Sequence, residues 1–136
     1  MAGDRSTGTP VTTTSEDVHR TLIEHANDGI AVVQDARFVF ANPSIVAMSG
    51  RTAEEFVGLH IAEVFHPEDL PAAVARYEAR VRGEPAEDRY EMRIRRPDGE
   101  SRWVGISVVA TLWGGRPASL GVVADITARK LLEARL

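Results

Sequence analysis

The sequence of 136 residues contains no cysteine, and this absence removes several kinds of chemistry. Disulfide bonds, metal sites with thiolate ligands and cysteine nucleophiles all need that side chain. A catalytic or metal-binding role would therefore have to rest on other residue types.

Long apolar runs and an excess of positive charge are also missing. No stretch approaches the roughly 20 apolar residues of a membrane span. The first 18 residues, MAGDRSTGTPVTTTSEDV, lack the apolar core of a secretory signal. A formal net charge of −4 argues mildly against nucleic-acid binding, because neutralising phosphates needs a basic face. We therefore expect a cytoplasmic protein whose partners include neither nucleic acid nor, in this segment, a membrane.

The residues that are present suit one globular domain. Hydrophobic residues make up 43% of the chain and charged residues 26%, which is typical of soluble domains. Residues 1–15 are mostly small and polar, so we predict a disordered tail. Residues 16–26 are predicted to form a helix because apolar side chains recur there at helical spacing. These side chains are Val18, Leu22, Ile23 and Ala26.

The chain then changes to strand-forming segments. Residues 29–34 (GIAVVQ) and 37–42 (RFVFAN) are β-branched and aromatic runs, separated only by Asp35 and Ala36. Two such runs joined by two polar or small residues predict a β-hairpin.

Two short helices are predicted in the middle of the chain. Asn42 before Pro43 is a typical helix start, and this helix should end at Gly50. Thr52 and Glu55 have the spacing of a capping box, in which each side chain bonds the other residue's backbone amide.

A longer helix is predicted over residues 70–81. Asp69 is expected to cap its first turn, and Gly83 is expected to end it. Apolar residues at helical spacing predict one buried stripe along this helix. They are Leu70, Val74, Tyr77 and Val81.

Three further strands are predicted, at residues 88–96, 100–113 and 118–126. The first alternates apolar and charged side chains, as a strand with one buried face does. Glycine-containing turns separate the three strands. Two strands, several short helices and then three strands indicate an α+β domain, with a five-stranded antiparallel sheet and the helices on one face.

Five segments follow one another in a set order over residues 19–130. They are ANDGIAVV, FVFANPS, SGRTAEEFVGLHIAEVFHPED, RRPDGESRWVGISV and GVVADITARK. Together they resemble the PAS domain, the sensory-box module of bacterial signalling proteins such as two-component systems. The resemblance implies the sheet order 2-1-5-4-3 and a sensor domain over residues 16–126. It also implies a role in sensing a signal or contacting a protein, with relay through a C-terminal helix. The output domain, for example a histidine kinase or a diguanylate cyclase, would lie in the same chain or in a partner.

The resemblance gives residues 125–127 a particular role. Relatives leave the last strand through an Asp-Ile-Thr triplet into a helix that joins sensor to output, and here the triplet is Asp125, Ile126 and Thr127. Asp125 or Thr127 can cap that exit helix, whose first part would be residues 127–136. The alternative is a terminal helix that folds back onto the domain. Apolar residues along one side would suit a coiled-coil seam. They are Ile126, Leu131 or Leu132, and Leu136.

Cofactors can be compared with the resemblance residue by residue. Flavin-binding photosensory relatives and covalent chromophores need a cysteine, which is absent. Haem-binding relatives commonly carry a histidine on the long helix, and LPAAVARYEARV has none. We therefore predict neither haem nor flavin. We favour ordinary core packing between the long helix and the sheet. The alternative is a small non-covalent ligand held in the same place. Its lining would be Val32, Phe40, Phe56, Ile61, Phe65, Val74, Tyr77, Met92, Ile94 and Ile106.

One crowded polar stretch raises the question of a metal site. The two histidines in it are six positions apart, and no third ligand is fixed by the spacing, so we predict loop polarity and no metal. The residues concerned are His60, Glu63, His66, Glu68 and Asp69.

An arginine-rich stretch raises the question of a basic patch. Alternation places most of these side chains on the solvent face of a hairpin, beside Glu91 and Glu100, so we predict a ladder of solvated charges. The arginines are Arg93, Arg95, Arg96 and Arg102.

The sequence also bears on the class of function. Its serines lack a nucleophile-elbow context, and no glycine-rich phosphate loop is present. A signalling and interaction module is therefore the leading hypothesis. A small-molecule receptor with a defined ligand is the alternative, and an enzyme is the most distant.

The predicted helix at residues 16–26 has an apolar stripe that needs a partner. We expect it to pack on the open face of the sheet or against a second copy, which would give the homodimer that the resemblance implies. A chain shortened to begin at Asn27 should then lose stability or become monomeric, as measured by sedimentation and thermal unfolding. Equal mass and equal stability of the short and full chains would show that the stripe has no such partner.

Overall fold

A computed structural model of the protein describes residues 27–135. The predicted tail at residues 1–15, the predicted helix at 16–26 and residue 136 lie outside this range.

The five strands form one antiparallel sheet. They are β1 (Gly29–Gln34), β2 (Arg37–Ala41), β3 (Arg89–Arg95), β4 (Ser101–Trp113) and β5 (Arg116–Asp125). Their order in the sheet is β2-β1-β5-β4-β3, which confirms the predicted fold. The two longest strands pair from Val104 opposite Asp125 to Trp113 opposite Arg116.

The β1–β2 hairpin turns on two residues, as predicted. Asp35 and Ala36 have φ angles of 55° and 62°, so both central residues are left-handed, as in a type I′ turn. The register shifts between Val32 and Val33, so that Val33 lies opposite Phe38 while Val32 lies opposite Phe40. This bulge places the two phenylalanines on different faces of the sheet.

The helices follow the predicted local signals. Helix α1 is Pro43–Ser49; the Asn42 side chain accepts a hydrogen bond from the Ile45 N–H, and Gly50 ends the helix with φ 71°. Helix α2 is Ala53–Phe56, with the capping box of Thr52 and Glu55 present in both directions. A 3₁₀ turn at Ile61–Glu63 follows.

Helix α3 (Leu70–Val81) has the predicted bounds, but two details of the prediction were wrong. The Asp69 side chain makes no capping hydrogen bond, because its carboxylate accepts from Arg93 on β3 instead. Val81 is 61% exposed, whereas Ala73 is buried. The exposure of Val81 in the last turn leaves the buried stripe of the helix shorter than the sequence pattern predicts.

Apolar side chains lie on both faces of the sheet. The helix-facing side holds the main core, which includes Phe38, Phe56, Ile94 and Val104. On the opposite face, Ile30, Val32 and Leu120 are buried at 0–2% exposure. Their partly buried apolar neighbours in the described chain are all strand residues: Val39, Phe40, Trp113, Ala118 and Val122.

Helix α4 (Thr127–Ala134) follows β5 directly. Within residues 27–135, the helices are all too short or too polar to cross a lipid bilayer.

The hairpin turn allows a direct test of its backbone strain. A left-handed conformation costs a non-glycine residue ~1–2 kcal/mol, whereas glycine costs about 0.5–1 kcal/mol in lost chain entropy. Ala36→Gly should therefore raise the free energy of unfolding by a few tenths to about 1 kcal/mol in urea denaturation. Ala47→Gly, at an exposed position of α1, is the control and should lower it by about 1 kcal/mol. A loss of stability in Ala36→Gly would contradict this account of the turn.

Candidate functional site

A cavity of about 80 Å³ lies between helix α3 and the sheet. All five strands contribute to its wall, and Ile45, Phe56, Ile61 and Ala73 close it from the helical side. Its wall is almost entirely apolar, so the cavity suits an apolar group or remains dry.

The structure separates the predicted lining residues into three groups. Six of them surround the cavity: Phe56, Ile61, Phe65, Tyr77, Ile94 and Ile106. Met92 and Val74 belong to the same core without lining the cavity. The prediction was wrong for Val32 and Phe40, because these side chains project from the opposite face of the sheet.

Sequence reasoning missed other residues of the wall. Ala31 and Val33 line it in place of Val32, and Phe38 lines it in place of Phe40. β1 is apolar on both faces, so alternation alone gave no sign of which face meets the helices. Tyr90, on the same face of β3 as Ile94, could have been found from that alternation.

Few polar groups reach the cavity. The Tyr77 hydroxyl accepts a hydrogen bond of 2.7 Å from the Ala36 N–H, which ties α3 to the hairpin turn. The Tyr90 ring lies under the guanidinium of Arg76, 4.0 Å from the ring centroid, and burial raises the pKa of the Tyr90 hydroxyl. Arg80 donates to the Glu87 carbonyl at 2.7 Å. The hydroxyls of Tyr77, Tyr90 and Ser119 are thus the polar groups of the wall that could orient a bound molecule.

Three of the crowded polar side chains, those of His60, Glu63 and His66, accept hydrogen bonds from nearby backbone amides. The His60 ring accepts from the Ala62 N–H, and Glu63 accepts from the His60 N–H. The His66 ring accepts from the Glu68 N–H at 3.1 Å. Among residues 27–135 there is no group of three or more ligand side chains placed to hold a metal ion.

The arginine group does not form the predicted ladder. Arg93 pairs with Asp69 and Glu68, and Arg102 lies 3.5 Å from Asp125. Arg96 turns back to donate to the Ala47 and Met48 carbonyls at the end of α1. Glu91, expected beside these arginines, instead binds the exit helix. The sequence pattern could not show these pairings because most of the partners are distant along the chain.

The junction between β5 and α4 is fixed by three hydrogen bonds. Asp125 Oδ1 accepts from the Thr127 N–H at 2.9 Å, so Asp125 holds the first helical amide from the residue before the cap. Ile126, not the predicted Asp125 or Thr127, occupies the N-cap position, and no side-chain capping hydrogen bond is made there. The Ile126 N–H donates to the Trp103 carbonyl at 2.8 Å, and Thr127 Oγ1 accepts from the Trp103 N–H at 2.9 Å. The Trp103 N–H would pair with a backbone carbonyl if β5 continued, and the Thr127 hydroxyl takes the place of that acceptor. The start of α4 is therefore anchored to β4.

Charged side chains hold α4 against the outer side of the sheet. The Glu91 carboxylate accepts from Arg129 at 2.6 Å and from Lys130 at 2.9 Å. These hydrogen bonds lower the pKa of Glu91. The Lys130 ammonium also lies 4.7 Å from the centre of the Trp103 ring. Leu131 and Leu132 are 63% and 58% exposed, so the apolar side of α4 is open.

Comparison with known proteins identifies the same architecture. The sequence model described as the PAS fold matches residues 19–126. A PAS domain of a Desulfitobacterium hafniense protein superposes with a TM-score of 0.67 at 17% identity, covering 77% of this chain and 98% of that one.

Two similar structures come from signalling proteins. A domain of a sensory box sensor histidine kinase/response regulator from Geobacter sulfurreducens gives a TM-score of 0.60 at 28% identity, covering 81% of this chain and 93% of that one. A sensory box histidine kinase/response regulator from Burkholderia thailandensis gives 0.63 at 23% identity, covering 86% and 90%. No curated protein matches the chain.

Proposed function

This chain belongs to the PAS fold family, and on that premise we propose that it senses a signal or a protein contact and relays it through α4 to an output domain. The observation that carries the proposal is the junction at residues 125–127. Asp125 joins the sheet to the first amide of α4, and Thr127 joins α4 to β4. A change in the position of these strands would therefore change the direction in which the helix leaves the domain.

The output domain is the finer part of the proposal. Proteins similar to this chain are named as sensor histidine kinases, so we propose a histidine kinase, with a diguanylate cyclase as the second choice. Either would lie in the same chain or in a partner protein. We propose no catalytic role for the described residues, since function in this family rests on contact and relay.

A homodimer is the proposed assembly. Leu131 and Leu132 are more than half exposed on the side of α4 that faces away from Glu91. A second copy of the same helix would cover them, as paired helices cover the apolar side chains between them in a coiled coil.

Asp125→Ala tests the junction. Loss of one side-chain hydrogen bond to a backbone amide costs ~1 kcal/mol, which is a small part of the ~5–15 kcal/mol that stabilises a domain but a large part for a short helix. Amide exchange should therefore become faster from Ala128 to Arg135, with little change around Val32, Phe40 and Ile106. In a fusion with an output domain, the variant should weaken or bias signalling.

Asp98→Ala is a closely matched control for that experiment. Asp98 also accepts from the amide two residues on, at 2.9 Å, and also lies beside an arginine, but it does so at the β3–β4 turn. Its removal should leave exchange in α4 unchanged. Equal exchange in α4 for Asp125→Ala and the unchanged protein would refute the role of the junction.

A small-molecule receptor is the second candidate function, and the cavity favours it. Its volume of about 80 Å³ is about half that of the ~150 Å³ apolar cavity that binds benzene in an engineered protein. A ligand of a few non-hydrogen atoms fits without movement, and a larger one requires α3 to shift. A haem or flavin would need a far larger space.

Cavity-filling variants distinguish a receptor from a packing void. Ala73 lines the cavity and Ala72 beside it is exposed, so Ala73→Leu and Ala72→Leu form a matched pair. For a receptor, native mass spectrometry of the purified chain should show a retained small molecule that Ala73→Leu loses and Ala72→Leu keeps. An absorbance scan of the same sample should show no haem or flavin band. If no molecule is retained and Ala73→Leu raises the melting temperature, the cavity is a packing void.

A further inference from the structure

The start of helix α3 is fastened to the sheet by one carboxylate. Asp69 Oδ2 accepts from the Arg93 backbone N–H at 2.8 Å and from Arg93 Nε at 3.0 Å, and Oδ1 accepts from Arg93 Nη2 at 3.0 Å. The hydrogen bonds from Arg93 lower the pKa of Asp69. A side chain in this position would ordinarily cap the helix, and here it is committed to β3 instead.

Arg93 connects this end of α3 to Trp103. The two residues are paired across β3 and β4, and the guanidinium lies 5.2 Å from the centre of the Trp103 ring. Arg93 also reaches Glu68, whose side chain is 74% exposed. Exposed pairs of this kind contribute little, so Asp69 is the main anchor of the guanidinium.

The same tryptophan lies beneath the exit helix. Lys130 is 4.7 Å from the ring, and the Trp103 backbone bonds Ile126 and Thr127. Lys130 and Arg129 share the Glu91 carboxylate. Glu91 and Arg93 are two residues apart on one strand, so they project from the same face.

We propose that Arg93 is a positioning residue that couples α3 to α4. When α3 moves, the Arg93 guanidinium leaves Asp69 and binds Glu91, and α4 is thereby released. Ala73 and Tyr77 place α3 in the cavity wall, so a signal that displaces α3 also displaces Asp69. The freed guanidinium then has Glu91 as the carboxylate beside it on the strand. It competes there with Arg129 and Lys130, and the helix loses its anchor. This inference rests on the proposed relay through α4 and names the contact by which α3 reaches that helix.

The proposed exchange predicts different effects on α4 for the loss of Asp69 and for the loss of Arg93, and a merely structural role does not. Asp69→Asn keeps the shape of the side chain and removes the charge that holds Arg93, so α4 should be released. Arg93→Gln removes the competing cation, so α4 should remain docked even though the contact with Asp69 is weaker. The double variant Asp69→Asn/Arg93→Gln should behave like Arg93→Gln. If Asp69 and Arg93 had only a structural role, Arg93→Gln and the double variant should also release α4. Both variants disturb the contact between residues 69 and 93 at least as much as Asp69→Asn does.

Amide exchange in the 136-residue chain measures the release. The readout is the rate for residues 128–135 divided by the rate for strand amides of β4 and β5, so that a loss of global stability, which speeds exchange in the strands, does not raise it. Asp69→Asn should raise this ratio roughly three- to tenfold, as expected for the loss of two partly exposed ion contacts. Arg93→Gln and the double variant should leave it within about twofold of the unchanged protein, since neither holds a free competing cation.

Two further variants complete the test. Glu91→Gln removes the anchor directly and should raise the ratio whether or not the exchange exists. Glu84→Gln removes an exposed ion pair with Arg82 just beyond the other end of α3 and should not change it. An unchanged ratio in Asp69→Asn, or a raised ratio in the double variant, overturns the inference. Either result leaves the junction at Asp125 as a separate question, since that contact does not involve Asp69.

Discussion

The antiparallel pairing of β4 with β5 is the constraint on which the other features of this domain depend. It extends from the Trp113–Arg116 turn to the pair formed by Val104 and Asp125. Because the register is fixed along this whole length, the floor of the cavity and the point where the chain leaves the sheet are parts of one ladder. Thr127 continues that ladder by one step with a side-chain hydroxyl. The exit helix therefore begins where the strand hydrogen bonds end, and the position of the strands determines its direction.

Two kinds of interaction are kept apart in this structure. The cavity wall consists of apolar side chains whose burial depends on close packing. The outer side of β3 and β4 carries the charges that contact α4, with Trp103 between Arg93 and Lys130. Helix α3 takes part in both, since Ala73 lines the cavity while Asp69 binds Arg93. A change in packing around the cavity could therefore move α3 and alter the ion pair between Asp69 and Arg93.

Much of the fold could be predicted because its signals are local. The capping box at Thr52 and Glu55 and the glycine end of α1 use residues three or four apart. Several of the failures came from contacts or pairings that a local pattern does not show. Asp69 was expected to cap its own helix, but its partner lies 24 positions further along. Phe40 was placed in the cavity because a bulge, which one sequence does not reveal, changes which face it occupies. Glu91 was assigned to nearby arginines, but its partners lie on α4, 38 and 39 positions away.

The docking of α4 depends on charges near solvent, and this has a consequence for the conditions under which the domain works. Interactions between exposed charges weaken as dissolved ions accumulate, with a screening length of about 8 Å at physiological ionic strength. Apolar packing around the cavity does not weaken in this way, and some salts strengthen it. Ionic strength would thus loosen the helix while leaving the apolar core intact. The extent to which α4 stays docked is therefore set in part by the electrolyte around the domain.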